Sequence, residues 1–434
     1  MTNIILDGDQ LEAKEKLHAW LATPPKEAGN YFRLRGTAGS GKTTLLKEAC
    51  KILDPSTTAL VAPTHKALTI CSKGAHFAAT KATLTSLLGL KPKKDKDKTV
   101  LTRRAKFDTA ELFAHRTIVI DEADMVDEGH WKFIREAVKM TDWRVILSGD
   151  PCQLPPVNEI DSTCSQMILP ESAQAELTKT RRFGDGVLTF ANSIRDKITR
   201  RSEDIAWDDS IGEDGSGVRF LSEKDFQKEV KRCLLETRES GNPDHCKIIS
   251  YTNKKAIDFD RRAAKVLGYS PETGFNAGDR VTVKSAFSQG DQLVLSTGED
   301  LKVMSSFPSD HPEFPFLKGQ TLVVQRDDKT NVTVQTLAPS SRLDYNGLVD
   351  EFLNEGRTLG EWFRFHELTS FYADIRYGVG LTVHESQGST FDNVFCDLTS
   401  IFPSRRYRPP AWDEVLAERL LYTAVTRGKN VFMF

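Results

Sequence analysis

The sequence has few cysteines, and none of them stands at the spacing of a metal site. Seven cysteines are spread over the 434 residues, with no Cys-x-x-Cys pair and no histidine at zinc spacing. A disulfide scaffold needs denser cysteines, and a zinc site needs clustered thiolates or imidazoles. We therefore expect reduced cysteines in the core and no structural metal.

Long apolar runs and an excess of either charge are also missing. No run approaches the roughly 18 apolar residues that a membrane span requires. Lys and Arg number 59 and Asp and Glu 61, so the net charge is −2 and bulk charge indicates no partner. The N-terminus shows neither a basic leader nor the apolar core of a signal peptide. No membrane association and a cytoplasmic location are expected.

Short apolar runs alternate with helical patterns, which is typical of an α/β protein with parallel sheets. The strand candidates in the first 200 residues are 31–35, 59–62, 117–120 and 144–147. A second α/β pattern starts near residue 247, resumes near residue 379 and closes with 431–434. Ligands of open α/β sheets bind at the carboxyl ends of the strands, so the residues that follow these runs are candidate site residues.

Two segments interrupt this alternation. Residues 91–106 contain eight Lys or Arg and two Asp, a local charge of +6, with a β-compatible centre. They predict a basic β-hairpin in the first domain. Residues 276–376 contain period-2 pieces at 280–284 and 321–325, which predict a small antiparallel sheet or barrel. An acidic stretch, 203–214, is interpreted as a solvated loop between the two halves.

A phosphate-binding loop follows the first strand. The residues that form it are Gly36, Thr37, Ala38, Gly39, Ser40, Gly41, Lys42, Thr43 and Thr44. They match G-x-x-x-x-G-K-[ST] between a strand and a helix, where glycines let backbone N–H groups face phosphate oxygens. Lys42 is expected to reach the β- and γ-phosphates of ATP, and Thr43 to bind Mg²⁺.

Two further strands end in residues that complete an NTPase site. Asp121 follows the third strand and is expected to hold Mg²⁺, while Glu122 orients and deprotonates the attacking water. Gln153 follows the fourth strand, and its amide is expected to sense the γ-phosphate. A small-molecule kinase would not need Glu122, which argues against that class of enzyme.

Seven motifs in a fixed order resemble those of superfamily 1 helicases. Beside the phosphate-binding loop, the acidic pair and 149–157, they are 62–67, 177–182, 382–389 and 421–428. Within the superfamily the chain is most similar to class B, the group of RecD and the Dda-type helicases of T-even-type phages. The resemblance implies two RecA-like lobes with ATP and Mg²⁺ between them. It divides the chain into a first lobe at 1–190, with a pin insert at about 86–116, a second lobe at 191–275 and 377–434, and an inserted SH3-like, mostly-β domain at 276–376.

The resemblance also implies roles for single residues. Gln10 would bind the adenine edge, and Arg182 and Arg427 would be arginine fingers. The implied contacts to single-stranded DNA are Pro63, Thr64, His65, Thr382, His384 and Trp362. The basic segment at 91–106 would be the pin that separates strands at a fork; a disordered basic loop is the alternative interpretation.

Two short stretches depart from the family pattern. Residues 121–124 spell the signature of DEAD-box RNA helicases, but the motifs at 149–157 and 421–428 are not of that superfamily. The family's Thr-x-His is here Thr83-Leu84-Thr85, which puts one nucleic-acid contact in doubt.

The expected function is that of an ATP-dependent DNA helicase moving 5′-to-3′ on single-stranded DNA in phage replication or recombination, in the host cytoplasm if the gene is a phage gene. Its partners would be single-stranded DNA, forked duplex DNA and replication proteins such as a single-strand-binding protein. The alternative is an ATPase, stimulated by single strands, that remodels protein–DNA complexes without unwinding duplexes. A third hypothesis, a small-molecule kinase, leaves Glu122, Arg427 and His384 unexplained.

Overall fold

A computed structural model describes residues 6–95, 98–157, 159–180, 184–202, 204–267, 274–289, 292–326, 328–404 and 413–434, with the backbone alone at 92–95, 98–99 and 292. The chain forms two compact units. Unit 1 comprises Met1–Phe220, Ser386–Thr390 and Ile401–Met433, and unit 2 comprises Leu221–Glu385, Phe391–Ser400 and Phe434.

The strands in chain order are β1 Tyr31–Gly36, β2 Thr58–Ala62, β3 Thr80–Thr83, β4 Leu90–Asp95, β5 Lys98–Arg103, β6 Thr117–Ile120, β7 Arg144–Gly149, β8 Gln174–Leu177, β9 Ser210–Ile211, β10 Gly217–Phe220, β11 Cys246–Ser250, β12 Arg280–Val283, β13 Phe287–Gln289, β14 Gln292–Leu295, β15 Asp300–Asp310, β16 Lys318–Gln325, β17 Asn331–Leu337, β18 Ile375–Arg376, β19 Gly380–Thr382, β20 Phe391–Cys396 and β21 Gly428–Met433.

The α-helices in chain order are α1 Gly8–Ala22, α2 Pro25–Ala28, α3 Lys42–Ala49, α4 His65–Ser72, α5 Leu84–Leu87, α6 Glu128–Thr141, α7 Thr163–Gln166, α8 Asp185–Ile198, α9 Glu223–Ser240, α10 Asn253–Val266, α11 Arg342–Leu359, α12 Phe363–Phe371, α13 Val383–Ser386, α14 Leu398–Ile401 and α15 Glu414–Val425. Short 3₁₀ turns at Cys50–Ile52, Pro55–Thr57, Thr109–Ala114, Ala123–Met125, Glu171–Ala173 and Pro339–Ser341 complete the elements.

Unit 1 is built on a parallel sheet with the strand order β3-β2-β6-β7-β1-β8. Every residue of β2, β6 and β7 is buried, as expected for parallel strands covered on both faces. Successive side chains enter opposite cores: Val119 and Ile146 pack into one, and Ile118, Val145 and Leu147 into the other. Because β6, β7 and β1 are adjacent, the residues that follow them meet at one edge.

Unit 1 also contains further strand pairings. Strand β10 pairs in parallel with β21 and antiparallel with β9. Strands β4 and β5 form an antiparallel hairpin in which Leu90 faces Arg103. The basic segment at 91–106 therefore forms a β-hairpin over its described part; its role as a pin stays a prediction.

Unit 2 combines a parallel arrangement with an antiparallel sheet. Strand β11 lies between β19 and β20 and is parallel to both. The antiparallel sheet has the order β17-β16-β15-β12-β18, and β13 pairs with β14. Leu301, Val303, Leu322 and Val324 contribute to its core, since alternate residues of β15 and β16 face inward.

The predicted parallel α/β pattern is confirmed, with strands at all four predicted positions in the first 200 residues. The closing strand is shifted and spans Gly428–Met433. The stretch 203–214, predicted to be a loop, contains β9 over its residues Ser210–Ile211. The insert at 276–376 is β-rich but also contains α11 and α12, which period-2 patterning did not predict.

The predicted domain boundaries and the SH3-like form of the insert stay predictions. None of the described helices has the length and apolar character needed to cross a bilayer.

Candidate ATP site and nucleic-acid interface

The phosphate-binding loop joins β1 to α3 in unit 1. Gly39 and Gly41 have φ values of +77° and +86°, a conformation that strains any residue with a Cβ. A Cβ on Gly36 would lie 2.6 Å from Ser40 Oγ, so glycine is required there for packing. Lys42 Nζ donates to the carbonyl oxygens of Gly36 at 2.7 Å and Thr37 at 3.1 Å. The loop thus presents backbone N–H groups and one ammonium at the start of a helix, a combination suited to polyphosphate.

Asp121 lies between two hydroxyl groups at the end of β6. Thr43 donates to Asp121 Oδ2 over 3.0 Å, and Ser148 donates to Oδ1 over 2.9 Å. Thr43 and Asp121 therefore place a hydroxyl and a carboxylate side by side. Hard oxygen donors of this kind are what Mg²⁺ prefers, so the two residues fit the metal assigned to them.

Glu122 has a left-handed backbone conformation, with φ 53° and ψ 42°. Such a conformation costs about 1–2 kcal/mol for a residue with a Cβ, and it is found at functional sites where the surrounding structure enforces it. Removal from water and the neighbouring Asp121 raise the pKa of the Glu122 carboxyl, whereas Lys42 and Arg427 oppose the rise. A raised pKa makes the carboxylate a better proton acceptor, which suits the role of general base.

Asp124 occupies the space that a side chain at position 149 would fill. A Cβ on Gly149 would lie 2.1 Å from Asp124 Oδ2 and 3.3 Å from its backbone nitrogen. Burial raises the pKa of the Asp124 carboxyl, while a hydrogen bond with Ser162 opposes that rise. The absence of a side chain at Gly149 thus lets the turns after β6 and β7 pack together.

Gln153 and Arg427 are in contact within unit 1, although 274 positions separate them along the chain. Arg427 Nη2 donates to Gln153 Oε1 over 3.4 Å, and both side chains are buried. The guanidinium also donates from Nε to the Thr423 carbonyl at 3.0 Å and from Nη1 to the Ser389 carbonyl at 3.4 Å. The Arg427 guanidinium is thus held in place, planar and always charged, which suits it to stabilising a transferring phosphoryl group.

The remaining nucleotide-site predictions fall around the same loop. Gln10, in α1, is buried and donates from Nε2 to the Ser40 carbonyl over 3.4 Å. Thr44 is exposed in the first turn of α3. The predicted arginine finger Arg182 lies outside the described residues.

The first group of predicted DNA contacts lies at the start of α4, after β2. Pro63 is half-buried, and Thr64 and His65 are exposed. Thr64 caps α4 by accepting a hydrogen bond from the Ala67 backbone at 3.2 Å. His65 therefore stands at a helix start with its imidazole accessible, at the carboxyl edge of the parallel sheet.

The second group lies in unit 2, at the end of β19. Thr382 and Glu385 cap α13 reciprocally: Thr382 N donates to Glu385 Oε2 at 2.8 Å, and Glu385 N donates to Thr382 Oγ1 at 3.2 Å. Burial lowers the pKa of His384 below its usual 6.5, with Glu385 opposing this. The imidazole is therefore neutral near pH 7 and can stack or form hydrogen bonds without charge.

Trp362 lies in unit 2 between α11 and α12. Its ring packs so closely on Gly356 that a Cβ there would lie 2.7 Å from Cδ2 and Cε3. The ring is also 5.9 Å from Phe365, nearly perpendicular to it, yet 39% of the residue is exposed. One part of the indole is anchored, and the exposed part is available for stacking.

The base of the β4–β5 hairpin is firmly held to unit 1. Arg103 donates to Glu136 of α6 at 3.1 Å, and its guanidinium lies 5.2 Å from the ring centre of Phe133. The Phe107 ring covers Gly89, where a Cβ would lie 2.1 Å from it. These contacts fix the point from which the hairpin leaves the unit.

Comparisons with known proteins agree with this geometry. A family model described as an AAA domain matches residues 25–210. The ATP-dependent DNA helicase Dda of Enterobacteria phage T4 is 22% identical over 442 residues, which cover 93% of this chain and 94% of Dda. The resemblance to class B helicases of superfamily 1 is confirmed.

Solved structures share the fold of this chain. A Pif1 helicase from Bacteroides, solved with ADP-AlF3 and single-stranded DNA, matches with a TM-score of 0.54 and 16% identity over 99% of this chain and 92% of its own. Pif1 from Candida albicans matches with a TM-score of 0.51 and 14% identity over 100% and 95%. The predicted fold class, with RecA-like lobes, is thereby supported along the full length.

Three residues of the candidate site were not predicted individually. Ser148 bonds to Asp121, and Asp150 accepts from Gln153 Nε2 at 3.2 Å and from the Tyr422 hydroxyl at 3.0 Å. All three lie inside or next to motifs that the sequence does reveal. Their roles depend on side-chain contacts between distant segments, for which spacing along the chain gives no signal.

Proposed function

We propose that this protein is an ATP-dependent helicase that moves 5′-to-3′ along single-stranded DNA and unwinds duplex DNA at forks. The observation that carries the proposal is the contact of Arg427 with Gln153 in the unit that holds the phosphate-binding loop. A kinase for small molecules has no need of this pair. The Bacteroides Pif1 complex with ADP-AlF3 and single-stranded DNA supports the same chemistry for a protein of this fold.

Each site residue has a distinct task in this proposal. Gly36 to Lys42 bind the phosphates, and Gln10 binds the adenine edge. Thr43 and Asp121 would hold Mg²⁺, which supplies charge neutralisation at the phosphates when bound. Glu122 orients the attacking water and accepts its proton.

Arg427, with Gln153 against it, stabilises the charge that develops on the transferred phosphoryl group. Arg182 is proposed as a second arginine that stabilises this developing charge. ATP binding and hydrolysis then make the two lobes bind the strand tightly in turn, so that the protein moves along the DNA.

The proposed partners are single-stranded and forked DNA, with a single-strand-binding protein and other replication proteins as further candidates. Pro63, Thr64 and His65 would contact the strand from unit 1. Thr382, His384 and Trp362 would contact it from unit 2. Phage replication or recombination, in the cytoplasm of the host cell, is the setting in which we place this activity.

The direction of movement is tested with tailed duplexes of defined polarity. Two substrates share the same duplex, and each carries a single-stranded tail of equal length, one ending 5′ and the other 3′. We expect ATP-dependent displacement from the 5′-tailed substrate. Displacement from the 3′-tailed substrate alone would overturn the assigned direction.

The nucleotide site is tested with Lys42→Ala. Loss of the ammonium that reaches the phosphates is expected to abolish ATP hydrolysis while single-stranded DNA binding remains. The matched control is Lys47→Ala, in the same helix but outside the loop. Normal turnover in Lys42→Ala would contradict the site.

The alternative function, remodelling of protein–DNA complexes without unwinding, is tested by shortening the hairpin. Replacing residues 93–100 with Asn-Gly retains the Pro92–Leu101 pair and the anchored base. We expect this variant to keep DNA-stimulated ATPase activity and to lose strand displacement. If the intact protein displaces a bound protein but separates no duplex, the alternative is correct.

A further inference from the structure

One hydroxyl group links the phosphate-binding loop, the turn after β7 and the helix that precedes Arg427. The Tyr422 hydroxyl donates to Asp150 Oδ2 over 3.0 Å and accepts from the Ala38 backbone N–H over 3.4 Å. Tyr422, Asp150 and Ala38 are all buried, and all belong to unit 1. None of the nucleotide-site assignments above includes Tyr422.

Asp150 joins this hydroxyl to the γ-phosphate residues. Its Oδ2 also accepts from Gln153 Nε2 over 3.2 Å, and its Oδ1 accepts from the Cys152 backbone over 3.2 Å. With Nε2 committed to Asp150, the Gln153 amide must present its oxygen outward, and that oxygen accepts from Arg427. The orientation of the Gln153 amide therefore depends on the Asp150 carboxylate.

Tyr422 and Arg427 are also connected through the main chain. Tyr422 lies in the last turn of α15, and Arg427 follows the end of that helix. The Thr426 hydroxyl donates back to the Tyr422 carbonyl at 2.9 Å, and Arg427 Nη2 donates to Thr426 Oγ1 at 3.0 Å. Fixing the Tyr422 hydroxyl on Asp150 therefore fixes the helix end from which the guanidinium projects.

We propose that Tyr422 is a positioning residue for ATP hydrolysis. Its hydroxyl holds Asp150 and the end of α15 in register, so that Gln153 and Arg427 meet beside the phosphate-binding loop. The contact with Ala38 makes the same hydroxyl sensitive to the conformation of that loop. This inference rests on the proposed function, because it assigns the pair Gln153 and Arg427 to the hydrolysis step.

The test is Tyr422→Phe in the full-length protein, which keeps the buried ring and removes the hydroxyl. Loss of one such hydrogen bond in a preorganised site is expected to lower the DNA-stimulated kcat by about fivefold to tenfold. The Kd of a fluorescent ATP analogue should stay within about twofold, since the residues that bind the phosphates remain. Tyr31→Phe, which removes a hydroxyl at the far end of β1, is the matched control.

A double-mutant cycle separates positioning from a general loss of stability. If Tyr422 acts through Gln153, then Tyr422→Phe should lower kcat by less than about twofold in a Gln153→Ala background. Asp150→Asn serves as the second variant if Tyr422→Phe does not fold. An amide there can accept at only one of its two terminal atoms, so the same loss of kcat with an unchanged Kd is expected.

Three outcomes would overturn the inference. The first is an unchanged kcat in Tyr422→Phe. The second is a double variant, Tyr422→Phe with Gln153→Ala, whose loss of kcat equals the product of the two single losses. The third is a Kd that rises as much as kcat falls. ATP hydrolysis by the wild-type protein distinguishes failure of the Tyr422 inference from failure of the proposed function. If it shows no DNA-stimulated ATP hydrolysis, the function itself is wrong and the inference falls with it; if it hydrolyses ATP, only the role of Tyr422 is rejected.

Discussion

Ser148 donates its hydroxyl hydrogen to Oδ1 of Asp121 over 2.9 Å, and the serine is fully buried. This bond orients the carboxylate so that Oδ2 faces Thr43. A group that orients a metal ligand contributes to metal affinity without touching the metal.

Ser148→Ala is therefore expected to raise the Mg²⁺ concentration needed for half-maximal ATPase activity by about tenfold. At saturating Mg²⁺, the kcat should return close to that of the wild type. The measurement is ATP hydrolysis against Mg²⁺ concentration, with Ser72→Ala in α4 as the control. An unchanged Mg²⁺ requirement would contradict the orienting role of Ser148.

Gly149→Ala is predicted to destabilise the protein and slow hydrolysis. The new methyl group would lie 2.1 Å from Asp124 Oδ2, so the buried carboxylate must move and the turn holding Asp150 and Gln153 must shift. Overpacking of this kind costs about 1–3 kcal/mol, which thermal unfolding will show as a lower midpoint. Gly347→Ala, in the interior of α11 with open space around it, should leave the midpoint unchanged or raise it.

Arg427→Lys is predicted to lower kcat by a factor on the order of 10³ while ATP binding remains. The guanidinium donates to Thr423, Ser389 and Gln153 from different nitrogens, whereas lysine has a single nitrogen and cannot reproduce the planar fork. Single-turnover hydrolysis and analogue binding measure the two effects separately. Arg419→Lys, which alters an ion pair with Asp161, is the control, and comparable losses in both variants would contradict a specific role.

The sequence predicts the parts of the site that lie within short motifs, because those motifs combine a strand end with residues of known chemistry. Glycine spacing predicts the phosphate-binding loop, and an apolar run before Asp121 and Glu122 predicts the acidic pair. The bonds of Ser148 and Tyr422 could not be predicted, since each depends on which distant side chain the fold brings opposite. Helix α11 did carry a signal: Tyr345, Leu348, Val349 and Phe352 recur at helical spacing and pack together.

His384 is predicted to contribute to DNA affinity without contributing charge at pH 7.5. Burial lowers its pKa, so the imidazole is neutral above the usual value of 6.5 and gains a proton only as the pH falls below it. His384→Gln should then weaken single-stranded DNA binding while leaving the slope of log K against log salt unchanged, because that slope counts neutralised phosphates.

The contrasting variant replaces Lys91, Lys93 and Lys94 in the basic hairpin with alanine. Here the slope should fall, for forked DNA in particular, since lysines that contact phosphates release counterions. Fluorescence anisotropy at several salt concentrations measures both variants. A shallower slope for His384→Gln at pH 7.5 would show that the histidine binds DNA as a cation.

Trp362 is predicted to stack on a DNA base through its exposed part. Its ring is anchored on Gly356 and beside Phe365, so little conformational freedom is lost when a base packs against it. Stacking on an aromatic side chain contributes about 1–3 kcal/mol per base, and Trp362→Ala should therefore weaken single-stranded DNA binding roughly tenfold.

Trp362→Phe, which retains an aromatic face, should recover most of this loss. Phe363→Ala removes the neighbouring ring, which is 76% exposed, and controls for a general effect of apolar surface. If Trp362→Ala binds DNA as the wild type does, the indole serves only to pack α11 against α12. The variant should then differ from the wild type only in a lower midpoint of thermal unfolding.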